Sequence, residues 1–238
     1  MAILVIAQGG AAAYAPEQTL AAFDLAAKQS ADLLGVTLHL SGDGHPVVIQ
    51  DERLERTTNG QGYVNEWTLR ELKRLDAGSW FSAAFSGQRL QTLTEVIERF
   101  KDEVGFWIEL PAGSERYPGI EERMISLLQI YGVDDRALIC SASLTALSKL
   151  RDLDPSLKTV FSCAGRQAEL GALGHIGVGG VFLARDVSEG SMALAAEKGL
   201  KLYVRADERQ AMARLVRRGV AGLVTPRPDL LRSLLPPS

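Results

Sequence analysis

The sequence contains little cysteine and no long hydrophobic run, and its two signs of charge nearly balance. Its only cysteines, Cys140 and Cys163, lie in or beside the short apolar runs 137–140 and 159–163. We therefore predict two buried free thiols in a reducing compartment rather than a disulfide. A net charge of −3 argues against DNA or RNA as a partner, because binding a polyphosphate requires a basic face.

No stretch of the sequence approaches the ~18 apolar residues that a membrane-spanning helix requires. Residues 1–7 are apolar, but no basic residues precede them, and the run is too short for a secretory signal with a cleavage site. A first β-strand explains this segment better. We therefore expect a cytoplasmic protein without a membrane span.

The length and composition indicate one α/β domain. A chain of 238 residues, of which 46% are hydrophobic, can bury a large core and is typical of a single α/β barrel. From about residue 100 onward, amphipathic helices end at a glycine and short apolar strands follow, as at 120–131, Gly132 and 137–140. Such a glycine suits the end of a helix. This alternation predicts parallel βαβ units.

The apolar runs provide nine candidate strands. They are 2–7, 33–40, 47–50, 105–110, 137–140, 158–162, 180–184, 201–204 and 222–225. The gap between the second and third is too short for a crossover helix, so these two strands form a hairpin with a turn at Asp43 and Gly44. The other eight strands predict a (β/α)8 barrel, with residues 1–238 as one domain.

Four short segments lie at or near strand ends, where an α/β barrel has its active site. They read Ala-Gln-Gly-Gly at 7–10, Leu-Gly-Val-Thr-Leu-His at 34–39, Ile-Gln-Asp at 49–51 and Ile-Glu-Leu-Pro at 108–111. With their surroundings they resemble the glycerophosphodiester phosphodiesterase family, in which these segments read His-Arg-Gly, Glu-Leu-Asp-Val-His, Ile-His-Asp and Ile-Glu-Leu-Lys. Other segments typical of that family are retained at 15–17, 19–23, 43–44, 56–60, 75–78 and 227–230.

The resemblance implies a TIM barrel of the phosphatidylinositol-phospholipase-C-like phosphodiesterase type, with a small insertion over the barrel mouth. Residues 51–92 depart from the βα alternation, contain a short helix near 68–75, and match this insertion. Its aromatic residues leave two interpretations open. Trp80, Phe81 and Phe85 either line a groove for a lipid or an alcohol moiety, or form a small core of their own.

In the family, hydrolysis of a phosphodiester uses three kinds of group. Three carboxylates hold Mg²⁺ or Ca²⁺, two histidines exchange protons, and an Arg and a Lys bind the phosphate. In this sequence Gln8 and Gln50 replace the histidines, Gly9 and Pro111 replace the Arg and the Lys, and Gly35 and Thr37 replace two carboxylates. Only Glu109, the third carboxylate, is retained.

These substitutions remove the chemistry that the family uses. Glutamine cannot exchange a proton near neutral pH, and the loss of one acid–base group lowers a rate by roughly 10²–10⁴. One carboxylate is too few ligands for Mg²⁺ or Ca²⁺. We therefore predict no intact catalytic residue, no bound metal and no other cofactor. His39, which matches a family residue, belongs either to a relocated mechanism or to a structural hydrogen bond.

Six residues are candidates for binding a ligand at the barrel mouth. They are Gln8, Glu17, Gln50, Glu109, Arg185 and Arg205. The two arginines follow apolar strands and either bind an anion or pair with Asp186, Asp207 or Glu109. We expect Glu109 to be held by hydrogen bonds from Gln8 or Gln50, and to be compensated by Arg205, rather than to bind a divalent ion.

Three functional hypotheses follow. The first is a catalytically impaired member of the family that binds a small phosphorylated alcohol or a protein partner. The alternative is an enzyme that hydrolyses glycerophosphodiesters to glycerol phosphate and an alcohol by a weak or metal-independent route. The third is a structural subunit that forms a homodimer or associates with an active paralogue.

Overall fold

The computed structural model describes residues 3–163, 177–184 and 187–236, and its centre is a closed parallel barrel. The strands are β1 (Leu4–Gln8), β2 (Leu33–Leu40), β3 (Pro46–Val48), β4 (Gln91–Thr92), β5 (Gly105–Leu110), β6 (Ala137–Ser141), β7 (Lys158–Cys163), β8 (Gly180–Leu183), β9 (Lys201–Arg205) and β10 (Gly222–Thr225). Strand β1 pairs in parallel with both β10 and β2, which closes the ring formed by β1, β2 and β5 to β10. The predicted (β/α)8 barrel is confirmed.

Helices cover the outside of the barrel, and one short helix, Leu69–Leu72, lies within residues 51–92. They are α1 (Leu20–Lys28), α2 (Leu69–Leu72), α3 (Leu93–Phe100), α4 (Ile120–Tyr131), α5 (Leu144–Leu153), α6 (Glu189–Glu197), α7 (Arg209–Arg217) and α8 (Pro228–Arg232). Local sequence explains where they begin and end. Thr92 and Glu95 form a reciprocal capping box at the start of α3, and Gly132 ends α4 in the left-handed conformation, as predicted.

The barrel separates two hydrophobic cores. The interior core contains Ile6, Trp107, Cys140, Val160, Phe182, Tyr203 and Val224. Trp107 is fully buried there, with its ring 5.5 Å from that of Phe182 and 5.2 Å from that of Tyr203. The larger core lies between strands and helices, and the two cores are separate because alternate strand residues point in opposite directions.

The predicted hairpin is also confirmed. Strands β2 and β3 pair antiparallel, with Leu38 opposite Val48, and Gly44 in the turn has a φ of 83°. Strand β3 ends at Val48, so Gln50 lies in the following loop and not in the strand. The two-residue strand β4, which pairs with β3, was not predicted because two residues show no periodicity.

Residues 51–92 share a small core with Val47 and Ile49, at the end of the hairpin. It consists of Val47, Ile49, Leu54, Val64, Leu72, Leu75, Ala77 and Leu90. The aromatic rings pack edge to face, with Phe81 5.7 Å from Trp80 and 5.5 Å from Phe85, which favours a local cluster over an open groove. Cys140 and Cys163 are buried free thiols, as predicted. None of the helices within the described residues is long and apolar enough to cross a membrane.

Candidate functional site

A polar pocket of about 360 Å³ opens at the C-terminal ends of the barrel strands. Its lining residues are Gln8, Gly9, Ala12, Ala13, Glu17, Gln50, Arg56, Arg205 and Pro226. The fold therefore brings together four of the six predicted ligand-binding residues in one pocket. Arg185, with its neighbour Asp186, lies outside the described residues.

Amide side chains replace acid–base groups at the base of this pocket. The Gln18 amide nitrogen lies 3.3 Å from both the Thr37 hydroxyl and the Gln50 amide oxygen, and Thr37 Oγ1 also donates to that oxygen at 3.3 Å. Thr37 is almost fully buried. Gln8 lies nearby, and its Oε1 is buried without a hydrogen-bond partner among the described residues. The cluster can accept and donate hydrogen bonds but cannot exchange a proton near neutral pH.

Glu109 accepts a hydrogen bond from a residue that the sequence analysis did not single out. The Trp107 indole N–H donates to Glu109 Oε1 at 3.0 Å, since the two side chains point inward from alternate positions of β5. Burial raises the pKa of Glu109 above its ordinary value, while the Trp107 hydrogen bond and the charge of Arg205 act in the opposite direction. The side chains of Thr37 and Gln50 also act to lower this pKa. A hydrogen bond from Gln8 or Gln50 to Glu109 stays a prediction.

Arg56 organises the acidic edge of the pocket. Its guanidinium donates to the carboxylates of Glu17 and Asp51, and these bonds raise its pKa above its usual range. Both carboxylates are thereby oriented, and the positive charge of Arg56 is already neutralised. Arg56 was missed because it lies 39 positions after Glu17 in the sequence.

Among the described residues that line the pocket, Arg205 is the second cation. It extends from the end of β9 and pairs with Asp207 at 3.3 Å, where both side chains are exposed. Exposed pairs of this geometry are weak, so the guanidinium can turn towards a bound anion. The position of Arg205 is therefore compatible with both predictions, the binding of an anion and the pairing with an acidic residue.

The residues present do not fit the divalent ion that the fold family uses. A Cβ atom at Gly35 would lie 3.0 Å from both the Ala7 carbonyl oxygen and the Gln8 Cα, so even the first atom of a carboxylate side chain is crowded. Thr37 provides a neutral hydroxyl that is already hydrogen-bonded to Gln50, and Glu109 is bonded to Trp107. Across the described ranges, no group of three His, Cys, Asp or Glu residues is arranged to hold a metal.

The backbone conformation and the close neighbours of Gly9 also favour glycine at this position. Gly9 has a φ of 64°, and a Cβ atom there would lie 3.0 Å from the Glu17 Cβ. Its N–H donates to the Gly35 carbonyl oxygen at 2.9 Å. An arginine at position 9 would therefore require this loop to move.

His39 has a structural environment. Its Nδ1 lies 2.8 Å from the Tyr117 hydroxyl, the two rings pack edge to face, and the side chain is almost fully buried. Burial lowers the pKa of His39. It is not one of the residues that line the pocket, which favours the structural interpretation over a relocated mechanism.

Comparison with known proteins identifies the family. The chain matches the glycerophosphoryl diester phosphodiesterase family over residues 9–230. It is 35% identical to a glycerophosphodiester phosphodiesterase of Caldanaerobacter subterraneus subsp. tengcongensis, over 99% of this chain and 98% of that protein. It is 33% identical to a glycerophosphodiester phosphodiesterase of Bacillus subtilis, over 98% of this chain and 86% of that protein.

Solved structures agree with this comparison. A phosphodiesterase of Oleispira antarctica, in complex with the product sn-glycerol-3-phosphate, superposes with a TM-score of 0.91 at 27% identity, over 98% of this chain and 96% of that one. A glycerophosphodiester phosphodiesterase of Agrobacterium tumefaciens superposes with a TM-score of 0.85 at 26% identity, over 97% of this chain and 99% of that one. The chain therefore belongs to the glycerophosphoryl diester phosphodiesterase family.

Proposed function

We propose that the barrel mouth binds a glycerophosphodiester or a small phosphorylated alcohol, and that metal-dependent hydrolysis is impaired. The proposal depends on one observation. A polar pocket remains at the position of the family's active site, while Gln8 and Gln50 occupy the histidine positions and Gly35 and Thr37 occupy two of the three metal-ligand positions.

The pocket has suitable groups for such a ligand. The unpartnered Gln8 amide oxygen can accept a hydrogen bond from a glycerol hydroxyl, which would satisfy a buried polar atom. Arg205 can turn from its weak pair with Asp207 to a phosphate oxygen. These contacts bind and orient a phosphate ester, but they provide no general base.

The second candidate function is hydrolysis of glycerophosphodiesters by a weak or non-standard route. The names of the relatives favour it, and taken alone they support this candidate better than an impaired protein. The side chains of the pocket argue against this candidate. Glu109 is the one carboxylate left from the family's set, and it is engaged by Trp107.

Calorimetry and a hydrolysis assay on the same purified protein distinguish these functions. We expect glycerophosphocholine to bind, and its hydrolysis with Mg²⁺ or Ca²⁺ to equal that of buffer. Turnover comparable to that of an active relative would establish the second candidate. If the protein neither binds nor hydrolyses glycerophosphocholine, both candidate functions are refuted and a structural subunit is favoured.

The remaining proposals concern the lid, the compartment and the partners. We propose that residues 51–92 form a lid within a single domain, supported by the small core that they share with Val47 and Ile49. The buried free thiols support a reducing, cytoplasmic location. A homodimer or an active paralogue as partner stays a prediction.

A further inference from the structure

One loop between the hairpin and α3 exposes aromatic side chains. Residues 77–88, which we call the aromatic loop, contain one tryptophan, two phenylalanines and no charged residue. Trp80 is 39% exposed, and Phe81 and Phe85 are half-buried, with the Phe81 ring packed edge to face on the other two. A Cβ atom at Gly87 would meet no atom beyond its chain neighbours within 4 Å, so the loop is open on this side. The aromatic loop thus presents an uncharged aromatic surface to the solvent.

The aromatic loop satisfies most of its own backbone hydrogen bonds. Its N–H groups donate within the loop or to the Asp76 carboxylate at positions 78, 79, 81, 82 and 84–88. The Ala77 N–H donates to the Gln88 carbonyl oxygen at 2.8 Å and closes the base of the loop. The Trp80 indole N–H donates to the Ala77 carbonyl oxygen at 2.9 Å. Because few of these donors depend on water, the loop can enter a less polar environment at low cost and with its shape already fixed.

Basic residues flank the aromatic loop. Arg74 precedes it by three positions, Arg89 follows it directly, and both side chains are exposed. The Arg89 guanidinium donates to a backbone carbonyl oxygen just before the loop at 3.1 Å. Residues 69–90 contain four basic and two acidic residues, a net charge of +2 in a chain whose net charge is −3. One of the four, Lys73, is paired with Glu95, and the three arginines that are left still outnumber the two acidic residues. The surface around the loop therefore favours an anionic partner.

We propose that the aromatic loop docks the protein on an anionic lipid bilayer, with Trp80 at the membrane–water interface and Arg74 and Arg89 beside the lipid headgroups. Tryptophan favours this interface because its ring is largely apolar and has one polar edge. Arginines near an anionic leaflet are attracted to it. A bilayer offers few hydrogen-bond partners to an inserted backbone, and the internal hydrogen bonds of the loop meet this requirement. Such docking is independent of what the barrel-mouth pocket binds.

Co-sedimentation of the full chain with lipid vesicles tests the proposal. The probe is a vesicle of phosphatidylglycerol and phosphatidylcholine in equal parts, and a vesicle of phosphatidylcholine alone is the neutral control. We expect at least about tenfold tighter binding to the anionic vesicle, since each arginine near an anionic surface contributes about fivefold. NaCl at about 1 M should remove most of this difference, because the Debye length then falls to about 3 Å.

Two variants separate the aromatic contribution from the charge. Trp80→Ala should weaken binding to the anionic vesicle at least about fivefold, because binding scales with the apolar area that enters the interface. Ile130→Ala is the matched control, since this α4 side chain is 74% exposed and lies outside the aromatic loop. Arg74→Gln should weaken binding about fivefold, whereas Lys28→Gln, which removes an exposed charge at the end of α1, should bind as wild type does.

Three results would overturn the proposal. Equal binding to the anionic and the neutral vesicle would show that the arginines do not recognise the headgroups. Binding that Trp80→Ala leaves unchanged would show that the protein docks through another surface. The third is the absence of vesicle binding. If the wild type then elutes as a dimer that Trp80→Ala converts into a monomer, the aromatic loop is a contact between two copies of the chain instead.

Discussion

The Trp107 indole N–H donates a 3.0 Å hydrogen bond to Glu109 Oε1, two residues further along the same strand. Trp107 is fully buried among the aromatic residues of the barrel interior, and Glu109 lies nearer the C-terminal end of β5. A residue of the interior core thus holds Glu109, the one carboxylate retained among the positions that the family resemblance predicts as metal ligands. This hydrogen bond links the packing of the barrel interior to the position of the Glu109 carboxylate.

Replacing Trp107 with phenylalanine should destabilise the protein through Glu109. The variant retains an aromatic ring but loses the N–H donor, and an unsatisfied polar partner costs about 1–3 kcal/mol, in addition to the lost ring volume. Denaturant unfolding of Trp107→Phe in the wild-type and Glu109→Leu backgrounds measures the coupling, because leucine removes the acceptor that glutamine would keep. An equal loss in both backgrounds would show that packing alone was affected.

Glu109→Gln should stabilise the protein at neutral pH and have a smaller effect in acid. Burial raises the pKa of Glu109, so the folded state takes up its proton at a higher pH than the unfolded chain does. The wild type therefore loses stability as pH rises from the unfolded pKa of about 4.3 through the folded value, and the amide variant is free of this loss. Melting temperatures of both proteins between pH 4 and 7.5 provide the check. A constant difference across that range would contradict the assignment.

Gly35→Ala should destabilise the barrel, because its Cβ atom would press against the β1 backbone. Two backbone atoms of β1 would lie 3.0 Å from that Cβ, and overpacking of this kind costs about 1–3 kcal/mol. Gly179→Ala is a suitable control, because the nearest atom to its Cβ would be the Thr159 carbonyl oxygen at 3.7 Å. Equal stability of the two variants would show that position 35 has room for a side chain.

The alternation of apolar strands with amphipathic helices was sufficient to predict the barrel. The hairpin followed from a short gap with an Asp-Gly turn, and both predictions are confirmed. Such features are local in the sequence, or repeat along it, so one chain is enough to recognise them.

The contacts within the pocket could not be derived in the same way. Gln18 bonds to Thr37 and Gln50, and Arg56 bonds to Glu17, across separations of 19 to 39 residues. Trp107 resembled an ordinary core residue in an apolar run, and its role depends on which way β5 faces. Gln18 directly follows the retained segment 15–17, which was the one available sign of its position.

Stability should fall as pH drops below about 6.5, and His39 should account for part of this fall. Burial lowers its pKa, so His39 stays neutral in the folded protein while the unfolded chain takes up a proton. The unfolded state then binds more protons, and stability is lost as pH decreases. His39→Gln should lose less stability than wild type between pH 7 and 5, whereas His45→Gln, in the exposed hairpin turn, should follow wild type. Urea titrations at both pH values measure this, and parallel losses in the two variants would contradict it.

Restoring the family's residues should recover hydrolysis only with all six substitutions, and at a loss of stability. Gln8→His, Thr37→Asp, Gln50→His and Pro111→Lys replace residues at positions that already carry side chains. Gly9→Arg and Gly35→Glu must add a Cβ atom where the nearest neighbours lie at 3.0 Å, and Gly9 also has a positive φ.

We therefore expect the fourfold variant to remain inactive, since Glu109 and the carboxylate introduced at position 37 are too few ligands for Mg²⁺. The sixfold variant should melt several degrees lower than wild type, at about 2–4 °C per kcal/mol, and should hydrolyse glycerophosphocholine with Mg²⁺ or Ca²⁺ but not with EDTA. Release of glycerol phosphate, measured by a coupled assay, is the readout. Metal-dependent turnover by the fourfold variant would show that a carboxylate at position 35 is dispensable, because two carboxylates and the surrounding amides would then be sufficient to hold the ion.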